Sequence, residues 1–347
     1  MNKINIITLI CIVFFPIQAQ DVHIDKQWAW VYRKAFGFQE LTQSSEKKEL
    51  LFAKKDIPSF SQLIFSWNAI RPTSGYFSFF VQARDARTKR WGKWHHMIDW
   101  GARIQKSYLT QSDGHTQYRH VRLEVERNKP TDAFRIKVGA KNGADLSLLK
   151  SVTVSLADYK KFKPESFDCA GLPSVHVRMV PKIAQFALDH PDAHRICSPT
   201  SCSMLTSFIL GEQIDPVQFA DRVFDQGLDI FGSWPFNVAH TFEHCVDKAY
   251  IFTRRLNSFA ELYRQLKRGI PIVVSVRGEL EGAPKVYENG HLLVVVGWDA
   301  KTRSVICHDP AHESPDDTLK KYSIKSFLPA WERSHRLVYW TEPLREA

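Results

Sequence analysis

A cysteine followed by Ser-Pro marks the part of this sequence best suited to covalent chemistry. Cys197 stands directly before Ser198 and Pro199, and apolar residues recur at helical spacing after them. Proline is tolerated in the first turn of a helix, so the thiol is predicted to lie at a helix N-terminus. The positive end of the helix dipole favours the thiolate, which is the nucleophilic form of cysteine. We therefore interpret Cys197 as a candidate nucleophile.

A histidine and an aspartate further along the chain could complete such a site. His291 follows Gly290 and begins an apolar run, which predicts a buried strand with the imidazole at one end. Held there, the ring could act as a general base toward the thiol. Asp309 precedes Pro310 at the end of the next predicted strand, where its carboxylate could orient the imidazole. Taken singly, a histidine at a strand start and an Asp-Pro turn also fit purely structural roles.

Acyl transfer also needs hydrogen-bond donors for the oxyanion that forms on the substrate. The backbone N–H of Cys197 is one candidate donor. Gln185 is the nearest side-chain amide upstream and is the candidate for the second. This assignment requires the loop of residues 188–194 to fold out of the way.

A metal site is the main alternative use of the cysteine and histidine residues. His308 and His312 lie near Cys307, and His240 and His244 are one helical turn apart. The sequence has no C-x-x-C pair, and Thr241 stands where a metalloprotease helix carries glutamate. We therefore expect no metal and no other cofactor.

The N-terminus has the pattern of a secretory signal. Lys3 precedes an apolar run over residues 6–15, and Ile17-Gln18-Ala19 is a cleavage-site sequence. Because the run is too short to span a bilayer, residues 1–19 are predicted to be a cleaved signal peptide. An uncleaved anchor is the alternative. We expect a bacterial protein that is secreted or periplasmic, without a transmembrane segment after signal removal.

The distribution of charge along the chain bears on which partners the protein could bind. The formal charge of +10 is spread along the chain rather than concentrated in a tail. Such a pattern is typical of a solvated surface, so no nucleic-acid partner is expected.

The cysteines outside the signal are odd in number, so at least one thiol stays unpaired in an oxidising compartment. Besides Cys197 these are Cys169, Cys202, Cys245 and Cys307, whose pairing the sequence leaves open.

The first half of the mature chain alternates apolar and polar residues with a period of two. This alternation, with turn sequences between the segments, predicts an all-β sandwich domain over residues 21–165. Its tryptophans are expected to fill the core, and a sugar-binding platform is the alternative. The clearest segments lie at 77–83, 121–125, 134–138 and 152–156, and the tryptophans are Trp67, Trp91, Trp94 and Trp100.

Residues 175–345 change to helical spacing and then to strands, which predicts an α+β domain with an antiparallel sheet. A helix is expected to follow Cys197 and end at Gly211, and a second to begin at Pro216. A third is expected from Asn237 to Ala249 and a fourth after Ser258. Strands are predicted over residues 272–276, 292–296, 305–308 and 337–340.

Four of these segments together resemble the bacteriocin-processing-type, double-glycine-peptidase-like cysteine peptidases of the papain-like superfamily. They are the Cys-Ser-Pro-Thr-Ser helix start, the segment Leu262–Val274, the strand beginning Gly290-His291, and Asp309-Pro310. The resemblance implies a papain-like peptidase domain with Cys197 as nucleophile, His291 as base and Asp309 as the orienting acid. The sequence departs from the family pattern at Ser198, where glycine is common, and at His308, where asparagine is common.

These observations predict a secreted cysteine peptidase that cleaves peptide bonds through a Cys-His-Asp triad and a thioester. Its substrate would be a peptide or protein, with cell-wall peptide as one candidate. Because one fold can host several chemistries, a cell-wall peptide amidase or transferase remains a second possibility. A non-catalytic module that binds glycan through the β-rich half is the third.

Overall fold

The computed structural model describes residues 27–37, 40–41, 48–165 and 171–344. The predicted signal peptide over residues 1–19 and the residue Cys169 lie outside these ranges. The described chain is α+β, with antiparallel sheets and five α-helices.

Two antiparallel sheets are built from residues 29–157, where the period-two segments were predicted. One sheet has the order β1-β11-β3-β9-β8-β7, and the other has the order β2-β10-β4-β5-β6. Their inward aromatic side chains meet, and the ring of Trp67 in β3 stacks on Phe79 in β4 at 4.4 Å. Trp67 and Trp100 are fully buried, as the core-packing interpretation expects, whereas Trp91 and Trp94 are only partly buried and lie outside the core. The strands are β1 Ala29–Ala35, β2 Glu49–Lys54, β3 Gln62–Ala69, β4 Tyr76–Asp85, β5 His95–Gly101, β6 Gln105–Ser107, β7 Gln111–Ser112, β8 Thr116–Arg119, β9 Arg122–Val125, β10 Thr131–Lys141 and β11 Leu149–Ala157.

The second half forms a third antiparallel sheet with helices packed against it. The sheet has the order β13-β18-β14-β15-β16-β17, and the short β12 pairs with β15. The strands are β12 Val175–His176, β13 Ala249–Arg255, β14 Ile272–Gly278, β15 Tyr287–Asp299, β16 Ser304–His308, β17 Leu319–Ser323 and β18 Leu337–Pro343. The helices are α1 Cys197–Leu210, α2 Pro216–Val223, α3 Trp234–His244, α4 Phe259–Lys267 and α5 Ile324–Glu332.

Local sequence signals placed several of these boundaries correctly. The first helix ends at Gly211, which adopts the left-handed conformation with φ of 74°. Asp215 caps α2 by accepting hydrogen bonds from the backbone N–H groups of Val217 and Gln218. Ser258 stands before α4 as expected, although its side chain makes no capping hydrogen bond.

The helix predicted from Asn237 to Ala249 was wrong at both ends. It begins three residues earlier, at Trp234, because Pro235 suits the first turn of a helix. It ends at His244, and Ala249 instead begins β13, which pairs with β18. The aromatic and β-branched residues of that segment favour a strand once a partner strand is present. The order of helices first and sheet afterwards is therefore interrupted by β13.

Buried polar contacts join the two halves. The Asn68 side chain, in β3, donates to the backbone carbonyl of Ile251 in β13 at 2.6 Å and accepts from its N–H at 3.3 Å. Arg71 pairs with Glu243 of α3 at 3.1 Å. The Asp225 carboxylate accepts a hydrogen bond from the backbone N–H of Ser107 at 2.9 Å. Because these groups are removed from water, the interface is specific rather than a loose contact.

Within the ranges that the structure describes, no helix is long and apolar enough to cross a membrane.

The Arg71–Glu243 pair gives a test of this interface. Their side chains are only 8% and 15% exposed, so Arg71→Met leaves a carboxylate largely buried without its guanidinium partner. We expect the free energy of unfolding in urea to fall by about 3 kcal/mol. Lys321→Met breaks the more exposed ion pair with Asp299 and should lower the free energy of unfolding much less, because water screens this pair. Equal losses in the two variants would contradict the assigned role of Arg71.

Candidate active site

Cys197 is the first residue of α1, where the sequence predicted it. No side chain caps this helix end, so its first N–H groups and dipole remain directed at the thiol region. Two hydroxyl groups fix the start of the helix. Thr200 Oγ1 donates to the carbonyl of Ile196 at 2.8 Å, and Ser201 Oγ donates to the carbonyl of Leu292 in β15 at 3.0 Å. The helix that carries the thiol is thereby tied to the strand that carries His291.

His291 was predicted at one end of its strand, which is wrong: β15 already begins at Tyr287, and His291 lies within it, opposite Val276 of β14. The histidine is buried, at 3% exposure. Gly290, directly before it, has φ of 90°, a conformation that favours glycine. The imidazole lies between a carboxylate and the thiol. Its Nε2 is 2.7 Å from Asp309 Oδ1, and the ring is close enough to Cys197 for each of the two groups to shift the pKa of the other. The structure therefore brings the three predicted residues together in the order Cys197, His291, Asp309.

Asp309 follows β16 and is completely buried. Its Oδ1 contacts His291 and accepts from the backbone N–H of Ala311 at 3.0 Å. Its Oδ2 accepts hydrogen bonds from the hydroxyl groups of Tyr287 at 2.8 Å and Tyr322 at 2.6 Å. The Tyr287 ring also stacks on the imidazole, with centroids 4.1 Å apart. Sequence analysis missed both tyrosines, because only the paired strands bring them to the carboxylate.

The charges of this group favour a thiolate beside an imidazolium. Burial favours the neutral thiol, but the positive charge of His291 and hydrogen bonds from His291 and Leu292 lower the pKa of Cys197 below its ordinary 9.0. Burial alone would lower the pKa of His291, yet the charges of Asp309 and Cys197 raise it to about 9. Despite its burial, the pKa of Asp309 is well below the ordinary range because of His291 and the hydrogen-bond donors around it. The arrangement is suited to nucleophilic chemistry near neutral pH.

The other three thiols that the structure describes are buried, and their pKa values are raised whereas that of Cys197 is lowered. Burial raises the pKa of Cys245 to about 12 and raises that of Cys202 and Cys307 above the ordinary range. All four are free rather than paired with one another. Cys197 is therefore the most readily ionised thiol of the four.

Gln185 lies in the same cleft as Cys197 and is 1% exposed. Its backbone N–H donates to the carbonyl of Pro310 at 2.8 Å, next to Asp309. Its side-chain Nε2 donates to the carbonyl of Ala193 at 2.7 Å. The loop of residues 188–194 therefore contacts this amide instead of folding out of its way, contrary to the sequence-based expectation. One N–H of the Gln185 amide remains for a ligand, since the side chain has two.

Two of the alternative metal ligands, His240 and His308, are hydrogen-bonded elsewhere. His240 Nδ1 lies 2.8 Å from Glu243, and His308 Nδ1 lies 2.9 Å from the carbonyl of Pro181. In the described part of the chain, no group of three or more His, Cys, Asp or Glu side chains is arranged to hold a metal ion.

A cleft of about 950 Å³ opens beside Cys197 and His291. Its wall is shared by both halves of the chain. Gln62, Arg122 and Tyr159 come from the β-rich half, whereas Trp234 and Arg255 come from the second. A site of this size can accommodate several residues of an extended peptide.

The tyrosines around Asp309 give a second prediction. Tyr322→Phe removes one hydrogen bond from a buried carboxylate and should lower the free energy of unfolding by about 2 kcal/mol. It should also raise the pKa of His291, measured by NMR titration, because Asp309 stays ionised and its negative charge is offset by one hydrogen bond fewer. Tyr263→Phe is the control, since its hydroxyl donates to the neutral carbonyl of Pro173. An unchanged titration of His291 in Tyr322→Phe would contradict the assigned role.

Comparison with known proteins supports a peptidase. The model of the Peptidase_C39 like family matches residues 177–339. This segment contains Cys197, His291 and Asp309, and it ends within β18. The curated proteins and the solved structures gave no match for the chain. Residues 177–339 are therefore similar to the Peptidase_C39 like family, which supports a C39-like cysteine peptidase.

Proposed function

We propose that this protein is a cysteine peptidase that cleaves peptide bonds through Cys197, His291 and Asp309. The observation that carries the proposal is the grouping of the Cys197 thiol, His291 and the buried Asp309 at the edge of a large cleft, with His291 hydrogen-bonded to Asp309 and lowering the pKa of the thiol. The similarity of residues 177–339 to a peptidase family supports the same conclusion independently.

The first half of the reaction forms a thioester. The Cys197 thiolate attacks the scissile carbonyl carbon, and the carbonyl π electrons move to oxygen to give a tetrahedral oxyanion. The His291 imidazolium then donates its proton to the departing amine as the C–N bond breaks. Because Nε2 faces Asp309, the proton comes from Nδ1, the nitrogen on the thiol side.

The second half returns the enzyme to its starting state. Neutral His291 removes a proton from water as the water oxygen attacks the thioester carbon. The second tetrahedral oxyanion collapses, the C–S bond breaks, and the carboxylic acid product leaves. Asp309 keeps the imidazole in one orientation and stabilises its cation throughout, without itself taking the proton.

Two donors are proposed for the oxyanion: the backbone N–H of Cys197 and the free amide N–H of Gln185. Support comes from the position of Gln185, which is buried in the same cleft and held by Pro310 and Ala193. A donor fixed in advance stabilises the developing charge without reorganising during the reaction.

The remaining parts of the proposal rest on the sequence patterns. We propose that residues 1–19 direct secretion or periplasmic export from a bacterial cell. Residues 21–165 would form a β-sandwich accessory domain, and residues 175–345 a papain-like peptidase domain. The substrate would be an exported or external peptide or protein.

Peptide hydrolysis tests the proposal directly. Cys197→Ala and His291→Ala should each lower kcat/KM on an unstructured fluorogenic peptide library by at least about a thousandfold. Iodoacetamide should alkylate wild-type Cys197 faster than it alkylates free cysteine at neutral pH. Cys245→Ala is the control, since this buried thiol lies outside the cleft. Full activity in His291→Ala would end the proposal, and hydrolysis of purified cell wall without hydrolysis of the library would indicate a wall amidase instead.

Activity should have a bell-shaped dependence on pH. It should rise as pH passes the lowered pKa of Cys197 and the thiolate forms. It should fall above about 9, where His291 loses its proton. Asp309→Asn removes the charge that raises the pKa of His291, so the falling limb should move to lower pH.

A second His–Asp pair supplies the control for this pH profile. His96 Nε2 lies 2.8 Å from Asp99 in the β-rich half. Because neither residue lines the cleft, Asp99→Asn should leave both limbs of the profile in place. A falling limb that is the same in Asp309→Asn and wild type would contradict the coupling of Asp309 to His291.

A further inference from the structure

The cleft beside Cys197 has an unbalanced charge. Six of its lining residues are lysine or arginine, and two are glutamate. Low-dielectric walls concentrate the potential of such a cleft and attract ligands of opposite charge. The cations are Arg122, Arg195, Arg255, Arg277, Lys285 and Arg333, and the glutamates are Glu124 and Glu288.

Some of these cations are already neutralised by carboxylates. Arg122 pairs with Glu124 at 2.7 Å, and Arg195 pairs with Asp192 at 3.3 Å. The other four have no ion-pair partner among the described residues. The excess positive charge of the cleft therefore lies with Arg255, Arg277, Lys285 and Arg333.

Arg255 is the most unusual of the four because it is 3% exposed. Its guanidinium donates to neutral oxygens only: Gln62 Oε1 at 2.8 Å and the carbonyls of Ser334 and His335 at 2.7 and 2.9 Å. These contacts orient the group and leave its charge without a direct counter-ion. Burying an arginine in this way is costly unless an anion compensates it. A residue of the β-rich half, Gln62, holds the guanidinium in place.

Arg277 and Arg333 also line the cleft and add to its positive charge. Arg277 Nε donates to the backbone carbonyl of Glu288 at 2.9 Å, and Arg333 Nε donates to the carbonyl of Arg277 at 2.6 Å. These bonds to backbone fix both side chains but add no negative charge. The side chains of Arg277 and Lys285 are exposed, so a ligand in the cleft can reach them.

We propose that the cleft selects acidic peptides, with substrate carboxylates bound by the exposed, unpaired cations Arg277, Lys285 and Arg333. The buried Arg255 adds positive charge behind them without contacting the ligand directly. Arginine suits this role because its planar fork matches the two oxygens of a carboxylate. The inference rests on the proposed function in taking the ligand to be a peptide. Beyond that function, it specifies that the peptide is acidic. It also assigns part of the peptide's recognition to a cleft that is lined by both halves of the chain.

Protection of Cys197 from alkylation tests this selectivity with the whole protein. Hexaglutamate should slow the reaction of neutral iodoacetamide with Cys197 at concentrations where hexaglutamine and hexalysine have no effect. The concentration that gives half protection should rise several-fold between about 50 and about 500 mM NaCl, because salt screens the attraction. Equal protection by hexaglutamate and hexaglutamine would overturn the proposal.

Variants locate the effect within the cleft. Arg277→Gln and Lys285→Gln should each raise the half-protecting concentration of hexaglutamate by about fivefold to tenfold. Arg87→Gln removes an exposed arginine from a turn outside the cleft and should leave it unchanged. Arg255→Gln should raise this concentration less, because Arg255 is buried and acts only through its charge. Equal values in Arg277→Gln, Lys285→Gln and Arg87→Gln would overturn the proposal.

This experiment separates the two proposals. Protection requires only that Cys197 reacts with iodoacetamide, so it can be measured even if no peptide is hydrolysed. Hydrolysis without protection by hexaglutamate would leave the peptidase in place and remove the acidic selectivity. Protection without hydrolysis would leave an acidic-peptide site and remove the peptidase.

Discussion

The buried carboxylate of Asp309 is the constraint on which the rest of the site depends. A fully buried negative charge is unfavourable unless several donors surround it. Here the donors come from separate parts of the third sheet: Tyr287 and His291 from β15, Ala311 from the turn after β16, and Tyr322 from β17. The carboxylate is satisfied only when these strands are assembled in register. The chemistry of the site and the stability of this sheet therefore depend on the same contacts.

The strand β15 positions both members of the Cys–His pair. It carries His291 itself, and the carbonyl of Leu292 accepts the hydrogen bond from Ser201 that ties α1 to the strand. The backbone of Leu292 also helps to lower the pKa of the Cys197 thiol. Because the Ser201–Leu292 hydrogen bond holds the start of α1 against β15, the residue that carries the sulfur is fixed next to the strand that carries the imidazole. This rigidity suits a nucleophile that must be aligned before substrate binds.

The sequence was sufficient to predict features that depend on neighbouring residues, such as the start of a helix or a buried strand. It was not sufficient for contacts that form only when strands pair. A proline in the first turn placed Cys197 at a helix start, and an apolar run after Gly290 placed His291 in a buried strand. Tyr287 and Tyr322 have no comparable signal, because their role requires strands that lie far apart in the sequence to meet at Asp309. The β13 segment was misread for a similar reason, since its strand character depends on β18. Arg255, at the end of β13, could not be assigned to the cleft before its contact with Gln62 was known.

The contacts between the halves bear on how the cleft recognises its ligand. Residues 177–339 are the part similar to the peptidase family, yet one wall of the cleft comes from residues before this segment. The Tyr159 ring stacks on His335 at 4.2 Å, and Gln62 holds Arg255. The Arg71–Glu243 pair and the Asn68–Ile251 hydrogen bonds fix the same two halves elsewhere in the interface. This wall of the cleft would therefore already be formed before a substrate binds. The β-rich half would then be part of the binding site and not a separate domain joined only by the chain.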